Sequence, residues 1–304
     1  MSSSAERSWT IGTILDWTQQ YFSRCNLPQA RLDAELIIAH ALGLKRVDLY
    51  VKHDMPVGLP ERAIIRELVK ARADERVPVA YLLGRKEFFG LSFQVDPNVL
   101  IPRPETEALV DVAIEKLKCF EATDDRPVRM LDVGTGSGAI AIAAARHTDD
   151  VQVVATDISP EALEVAGRNA EEHGLVDRIE FIAADMFHDP PDLGRFEVVV
   201  SNPPYIDPAD TDTLAPEIQR HEPGLALFAP EAGDAYLEAL MTNANHLVHD
   251  EGFLLVEVQP PLRARSWTER FSQQAGFTDV QPILDISGEP RGVVARWCGS
   301  SNQG

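Results

Sequence analysis

The chain has 304 residues, 44% of them hydrophobic, and a formal net charge of −20. That length accommodates two domains, and no apolar run approaches the span of a bilayer, so a soluble cytoplasmic protein without a secretory leader is expected. Cys25, Cys119 and Cys298 lie far apart and the eight histidines are scattered, which points away from a disulfide framework or a metal site. A chain this acidic is repelled by polyphosphates, which disfavours a nucleic-acid substrate; the acidic surface also serves solubility.

Residues 1–8 are Ser-rich and expected to fray. From Thr10 the pattern is helical: Ile11, Ile14, Leu15, Trp17 and Tyr21 recur at helical spacing, and Leu32, Leu36, Ile37, Ala39, His40, Ala41 and Leu42 repeat it before Gly43. A third helix is expected from Leu59 or Pro60 to about Ala73. These make a small, near-neutral helical domain over residues 1–76, with His40 read as a packed or surface residue. Residues 77–103 turn strand-like, and Glu87-Phe-Phe-Gly90 suggests a linking β-hairpin. Residues 104–304 form the larger domain.

That domain opens with a helix from Thr106 to about Phe120 and a loop at Asp124-Asp125-Arg-Pro127. Strands are expected near 128–133, 151–156, 179–184, 196–201, 252–257, 277–283 and 292–298, alternating with helices in the manner of an α/β fold with a largely parallel sheet covered on both faces. The stretch from Asp207 to Glu231 is too rich in prolines and turn formers for a core element. It reads as a lid over a substrate or as a solvated connection.

Three segments carry the chemistry. After Val128-Arg-Met-Leu131 comes Asp132-Val-Gly-Thr-Gly-Ser-Gly138, a strand, a glycine-rich turn and the start of a helix, which lets backbone approach a ligand closely. Asp157 ends the next apolar run at a spacing suited to accepting hydrogen bonds from ribose hydroxyls. Glycine spacing alone leaves a nicotinamide dinucleotide open, because Gly134, Gly136 and Ala139 satisfy that looser pattern too. The third segment, Asn202-Pro203-Pro204-Tyr205, follows the apolar run Phe196–Val200. Two prolines cannot join a sheet ladder, so the strand ends there and leaves rigid carbonyls unpaired. An Asn amide oxygen beside a fixed carbonyl can accept both hydrogens of a planar NH2 group, and the Tyr ring offers a stacking surface. A plain strand-ending turn is the alternative, although hydride transfer has no use for the tetrapeptide.

These motifs resemble the class I methyltransferases that use S-adenosylmethionine, and more narrowly the protein-(glutamine-N5) methyltransferases that modify peptide-chain release factors, the PrmC/HemK type. The resemblance spans nearly the whole chain and includes Pro78–Gly84, Glu87–Phe93, Leu100-Ile-Pro-Arg-Pro-Glu-Thr-Glu107 and Glu222-Pro223. It implies a Rossmann-like seven-stranded sheet preceded by a helical domain that grips the protein partner. It also implies transfer of a methyl group from S-adenosylmethionine to the glutamine N5 of a Gly-Gly-Gln loop in class I release factors, supporting translation termination.

By the same resemblance Gly134, Thr135, Gly136, Ser137 and Gly138 cradle the cofactor and Asp157 holds its ribose. Asp185 and Met186 meet the adenine, although Met186 or Phe187 could equally be core. Asn202, also near the cofactor, and the Pro203 carbonyl orient the glutamine nitrogen, with Pro204 and Tyr205 completing the substrate site. Arg103 and Glu105 either border the cofactor pocket or join the domains as ion pairs. Two departures from the family pattern, His221 before Glu222-Pro223 and the run Glu257-Val-Gln-Pro-Pro261, put the local lid and pocket wall in question. A nucleic-acid amino methyltransferase and a non-enzymatic nucleoside-binding module are the rival readings, opposed by charge and by the intact tetrapeptide.

Overall fold

The computed structural model describes residues 9–123 and 126–299. The expectations for residues 1–8 and for Asp124 and Asp125 lie outside them. The chain divides into two compact units, Met1–Gly84 with Ala215–His221, and Arg85–Leu214 with Glu222–Gly304.

The first unit is helical. Its helices are Ile11–Arg24, Ala30–Leu42, Arg46–Val51, Leu59–Ala73 and Val79–Leu83, joined by the short helix Pro216–His221. Thr10 starts the first of them through a capping box with Thr13, and Gly43 ends the second in the left-handed conformation, at φ 62°, that glycine adopts without strain. Ile11, Phe22, Ile37, Ile38, Leu49, Ile65 and Val69 form the core. Trp17 stacks on Tyr21, with ring centroids 5.3 Å apart, but remains 43% exposed, so its place in the periodic pattern is an edge of that core. His40 is exposed. The helix Arg46–Val51 is too short for periodicity to reveal, and Val79–Leu83 is helical where the strand-like composition suggested otherwise.

Within this unit Arg72 is buried and donates to Asp33 at 2.8 Å and to Glu217 at 3.0 Å, so one guanidinium ties the helix Leu59–Ala73 to the second helix and to the segment 215–221. His221 lies 2.8 Å from the Glu75 carbonyl through Nε2.

The second unit begins with an antiparallel hairpin, β1 (Arg85–Phe88) and β2 (Leu91–Gln94), turned by Phe89 and Gly90, both at positive φ as a tight two-residue hairpin turn demands. The helix Glu107–Leu117 follows, and its first residue accepts the Phe89 amide through Oε1 at 2.9 Å. The main sheet comprises β3 (Val128–Val133), β4 (Val151–Asp157), β5 (Ile179–Ala183), β6 (Phe196–Ser201), β7 (Val248–Glu257), β8 (Phe277–Leu284) and β9 (Pro290–Trp297). Their order is β5-β4-β3-β6-β7-β9-β8, parallel through β7 and antiparallel at both β9 pairings, the expected methyltransferase sheet.

The central strands read as unbroken apolar runs because both faces are covered. The helices Ala139–Arg146 and Glu107–Leu117 bury one face, while Trp267 and Phe271 of the helix Pro261–Gln273 bury the other. Strand β7 starts four residues before its expected beginning. Val248 pairs with Phe196, and the polar run His249-Asp-Glu-Gly252 is accommodated as an irregularity before Phe253 pairs with Val198. Between β6 and β7, Ile206 exchanges backbone hydrogen bonds with Leu227 and Ala229, and both partners are buried. The Pro-rich stretch therefore contributes to a core that its composition did not suggest.

Candidate active site

Four parallel strands end at one cleft, as ligand sites in open α/β sheets do. It is lined by Gly134 and Gly136 after β3, Asp157 at the end of β4, Asp185 and Met186 after β5, and Asn202 and Pro204 after β6. Sequence-distant residues complete its wall, among them Val99, Pro223, Leu225 and Tyr236.

The glycine loop is held from behind. Asp132, fully buried, accepts from the Thr135 hydroxyl at 2.7 Å and from the Ala141 amide at 3.2 Å through Oδ2, and burial pushes its carboxyl up to about 7. Among the described residues its Oδ1 has no hydrogen-bond partner. The Ser137 carbonyl accepts from Asn169 at 2.8 Å, and Thr135 and Ser137 are both buried, so they support the loop rather than line the cleft. Gly138 adopts φ 78°, where an added Cβ would meet Ile142 Cδ1 at 2.9 Å; its role is close helix packing.

Gly134 and Gly136, at φ 73° and 55°, differ from Gly138 in that a Cβ on either would meet nothing within 4 Å. The space beside them is the cleft itself. Asp157 accepts from the Gly136 amide at 2.8 Å through Oδ2 and from the Ser159 amide at 3.0 Å through Oδ1. A carboxylate offers about four acceptor directions, so both oxygens keep capacity for ligand hydroxyls. Burial raises its pKa against these amides.

Asp185 accepts from the amides of Phe187 and His188 at 3.0 and 3.1 Å and lies 2.9 Å from the His188 ring. Burial acts to raise its pKa, but those donors outweigh it and hold the carboxyl below its usual range. Met186 is 2% exposed and belongs to the core cluster while also reaching the cleft wall. Phe187 stacks on Tyr236 with centroids 4.3 Å apart.

At the tetrapeptide, Ser201 anchors the strand end by donating to the Val133 carbonyl at 2.8 Å. Asn202 donates through Nδ2 to the Thr106 hydroxyl at 3.2 Å. The Tyr205 carbonyl accepts from Arg263 Nη1, and burial together with the Glu257 carboxylate raises the pKa of the Tyr205 phenol. Pro203 and Tyr205 are not among the residues lining the cleft. Arg103 donates to Glu222 at 2.6 Å, and Glu222 also accepts the Ile101 amide at 3.3 Å, which ties the segment before the first helix of this unit to the Glu222-Pro223 turn. That pairing assigns Arg103 to an ion pair inside the larger unit.

Residues 13–84 match the PrmC N-terminal domain and residues 130–222 a methyltransferase domain. Over 95% of its length the chain is 38% identical to the release factor glutamine methyltransferase of Rhodopirellula baltica, covering 96% of that protein. It is 39% identical to that of Geobacter sulfurreducens, with 95% and 97% of the two chains covered. The chain belongs to the release factor glutamine methyltransferase family.

Among solved structures, the hMettl16 catalytic domain in complex with a MAT2A 3′UTR hairpin shares the fold at 14% identity, with a TM-score of 0.51 over 81% of this chain and 82% of that one. Like its family, this methyltransferase uses S-adenosylmethionine as methyl donor. The cleft fits a nucleoside cofactor on two counts: the side-chain-free space at Gly134 and Gly136, and the acceptor capacity left on Asp157. No group of His, Cys, Asp and Glu among the described residues is arranged to hold a metal, and no helix among them is long and apolar enough to cross a membrane.

Thr106 and Glu257 appear in the sequence only as members of longer runs. Thr106 sits inside the quoted Ile-Pro-Arg-Pro-Glu-Thr-Glu run yet shows its role only through contact with Asn202. Glu257 ends the apolar strand Leu254-Leu-Val-Glu257, as Asp132 nearly ends β3 and Asp157 ends β4.

Proposed function

We propose that this enzyme transfers a methyl group from S-adenosylmethionine to the side-chain N5 of the glutamine in the Gly-Gly-Gln motif of class I peptide-chain release factors, supporting translation termination. The observation that carries this reading is the Asn202 amide at the end of β6. Its NH2 is tied to Thr106, so its oxygen is the group left to accept a hydrogen from a substrate amide. The near full-length similarity to release factor glutamine methyltransferases supports the partner.

In this reading Asn202 and the Pro203 carbonyl accept the two hydrogens of the glutamine NH2, and Pro204 and Tyr205 border its amide plane. Acceptors on both hydrogens favour the pyramidal nitrogen that attack requires, and that preference strengthens towards the transition state. The bound cofactor supplies a methyl group made electrophilic by its sulfonium, so positioning carries the reaction. The loop Gly134, Thr135, Gly136, Ser137 and Gly138 with Asp157, Asp185, Met186 and Asn202 holds that cofactor. The helical unit grips the protein partner.

Asp157→Ala is expected to weaken S-adenosylmethionine binding by about 1–3 kcal/mol through lost charge-assisted hydrogen bonds. Calorimetry reads this directly, and unchanged affinity would remove Asp157 from the cofactor site. The substrate is tested by mass spectrometry of a folded class I release factor after incubation with enzyme and labelled cofactor. One methyl group on the N5 of the Gly-Gly-Gln glutamine is expected, with much slower modification of a short Gly-Gly-Gln peptide that lacks the rest of the partner. Methylation elsewhere, or none, would refute the assignment.

A further inference from the structure

Pro203 and Pro204 have no backbone N–H to give and fix their own φ, and each also restricts the residue before it. The segment from Asn202 to Tyr205 is therefore a stiff rod whose direction is set at its two ends. Its entry is fixed by Ser201, which pairs within the sheet and donates to the Val133 carbonyl at 2.8 Å. Its exit is the peptide group between Tyr205 and Ile206, and that group is held on both sides. The Ile206 amide donates to the Leu227 carbonyl at 3.0 Å, and the Tyr205 carbonyl accepts from Arg263 Nη1 at 2.5 Å.

Arg263 lies near the start of the helix Pro261–Gln273, and its guanidinium serves three acceptors at once. Besides the bond to Tyr205, Nε donates to Asp234 Oδ1 at 3.1 Å, and Nη2 donates both to Asp234 and to the Ala232 carbonyl, the latter at 3.1 Å. Trp267, one turn further along the helix, donates to the same Asp234 oxygen at 3.1 Å, so the acceptor that orients the guanidinium is itself held. The neighbouring backbone is shaped to this arrangement. Glu231, Ala232 and Gly233 are consecutive residues in the left-handed region, at φ 56°, 56° and 86°. For the two that carry side chains such a conformation is costly and persists only where its surroundings enforce it. At Gly233 an added Cβ would lie 2.2 Å from the Tyr205 carbonyl oxygen and 2.8 Å from both Arg263 Nη atoms. An ion pair between Arg263 and Asp234 alone needs neither the left-handed run nor that close approach; a group that has to reach the Tyr205 carbonyl needs both.

We infer that Arg263 is a positioning residue for the methyl transfer: its planar fork pins the Tyr205 carbonyl, fixes the exit of the stiff tetrapeptide, and so sets the direction in which the Asn202 oxygen and the Pro203 carbonyl face the glutamine nitrogen. The inference deepens the proposed function and rests on its assignment of those two acceptors. Acceptors aimed at a reacting nitrogen act through their placement, so a small shift of the loop is felt in kcat more than in the binding of a large protein partner. A lysine presents one compact charge and cannot hold three acceptors at fixed angles, so the role belongs to the guanidinium rather than to positive charge alone.

The test uses the full chain, the variants Arg263→Met, Arg263→Lys and Gly233→Ala, and Arg270→Met as a control. Arg270, on the same helix, pairs with Glu238 at 2.5 Å and lies 3.9 Å from Asp234, so its loss reports what weakened helix packing does by itself. On a folded class I release factor, Arg263→Met is expected to lower kcat by about 10- to 100-fold while KM and S-adenosylmethionine affinity stay within about threefold. Arg263→Lys should recover part of the rate, and Arg270→Met should stay within about twofold of wild type. The second readout needs no substrate. Hydrogen exchange of the Ile206 amide, followed by NMR, should quicken about tenfold or more in Arg263→Met and in Gly233→Ala, with the amides of Leu131 and Val154 in the central strands unchanged. A kcat for Arg263→Met within about twofold of wild type, an equal loss in Arg270→Met, or Ile206 exchange as slow as in wild type would each overturn the inference. If Arg263→Met does not fold, Arg263→Lys decides on the same two readouts: slower turnover with faster Ile206 exchange supports the inference, and wild-type values for either overturn it. Wild-type inactivity on the release factor would overturn the substrate assignment instead, and Ile206 exchange then decides alone whether Arg263 fixes the loop.

Discussion

Asn202→Ala is expected to lower turnover by about 100- to 1000-fold, the loss typical of removing one preorganised hydrogen-bonding group aimed at the reacting centre. Cofactor affinity and melting temperature should change little. Among the described residues the side chain's hydrogen-bond partner is Thr106, so the folded state loses a part-buried hydrogen bond worth about 1 kcal/mol. In the proposed role, what disappears is a contact to the substrate nitrogen that strengthens in the transition state, and such losses lower kcat and kcat/KM together. Asn202→Asp separates the alternatives further. It retains acceptor oxygens but cannot donate to Thr106, and it sets a negative charge beside a cationic cofactor, which stabilises the reactant more than the charge-dispersed transition state. It too should methylate poorly, with cofactor affinity retained or increased. Near wild-type rates for Asn202→Ala would mean that the tetrapeptide merely ends β6.

Arg72→Ala is expected to destabilise the helical unit by about 3–5 kcal/mol, read as a lower urea midpoint, because removing one partner of a buried ion pair strands the other. Arg72 and Asp33 are each 8% exposed, and Glu217, the second acceptor, is 18% exposed. Burial already raises the Asp33 pKa, and Arg72 works against that rise, so losing the guanidinium raises it further. A folded-state pKa above the unfolded value means that the native state holds the extra proton, and stability falls as pH climbs through the folded pKa. The deficit of Arg72→Ala should therefore shrink in acid, where Asp33 is protonated in both states. Arg72→Met with Asp33→Leu and Glu217→Gln should recover most of the loss. A midpoint unchanged in Arg72→Ala would show that the pair contributes nothing to this unit.

Much of the architecture was legible in the chain because its physics is local. Strands β3, β4 and β6 are covered on both faces, so each appears as a continuous apolar run that no loop sustains. Positive φ at Gly134, Gly136 and Gly138 is a backbone requirement that glycine meets on its own, and two prolines end a strand whatever surrounds them. The helical periods of the first unit and the placement of Asp157 and Asn202 at strand ends follow for the same reason. The tertiary structure alone decided which of these residues act together. Thr106 and Asn202 are separated by 96 positions yet share a hydrogen bond. Glu217 leaves a turn-rich stretch to meet Arg72, Val248 pairs with Phe196 across a polar interruption, and Arg103 pairs with Glu222. A hydrogen bond or ion pair carries no trace in the spacing of either partner, since its energy depends on two side chains converging in space, and that convergence is a property of the folded sheet.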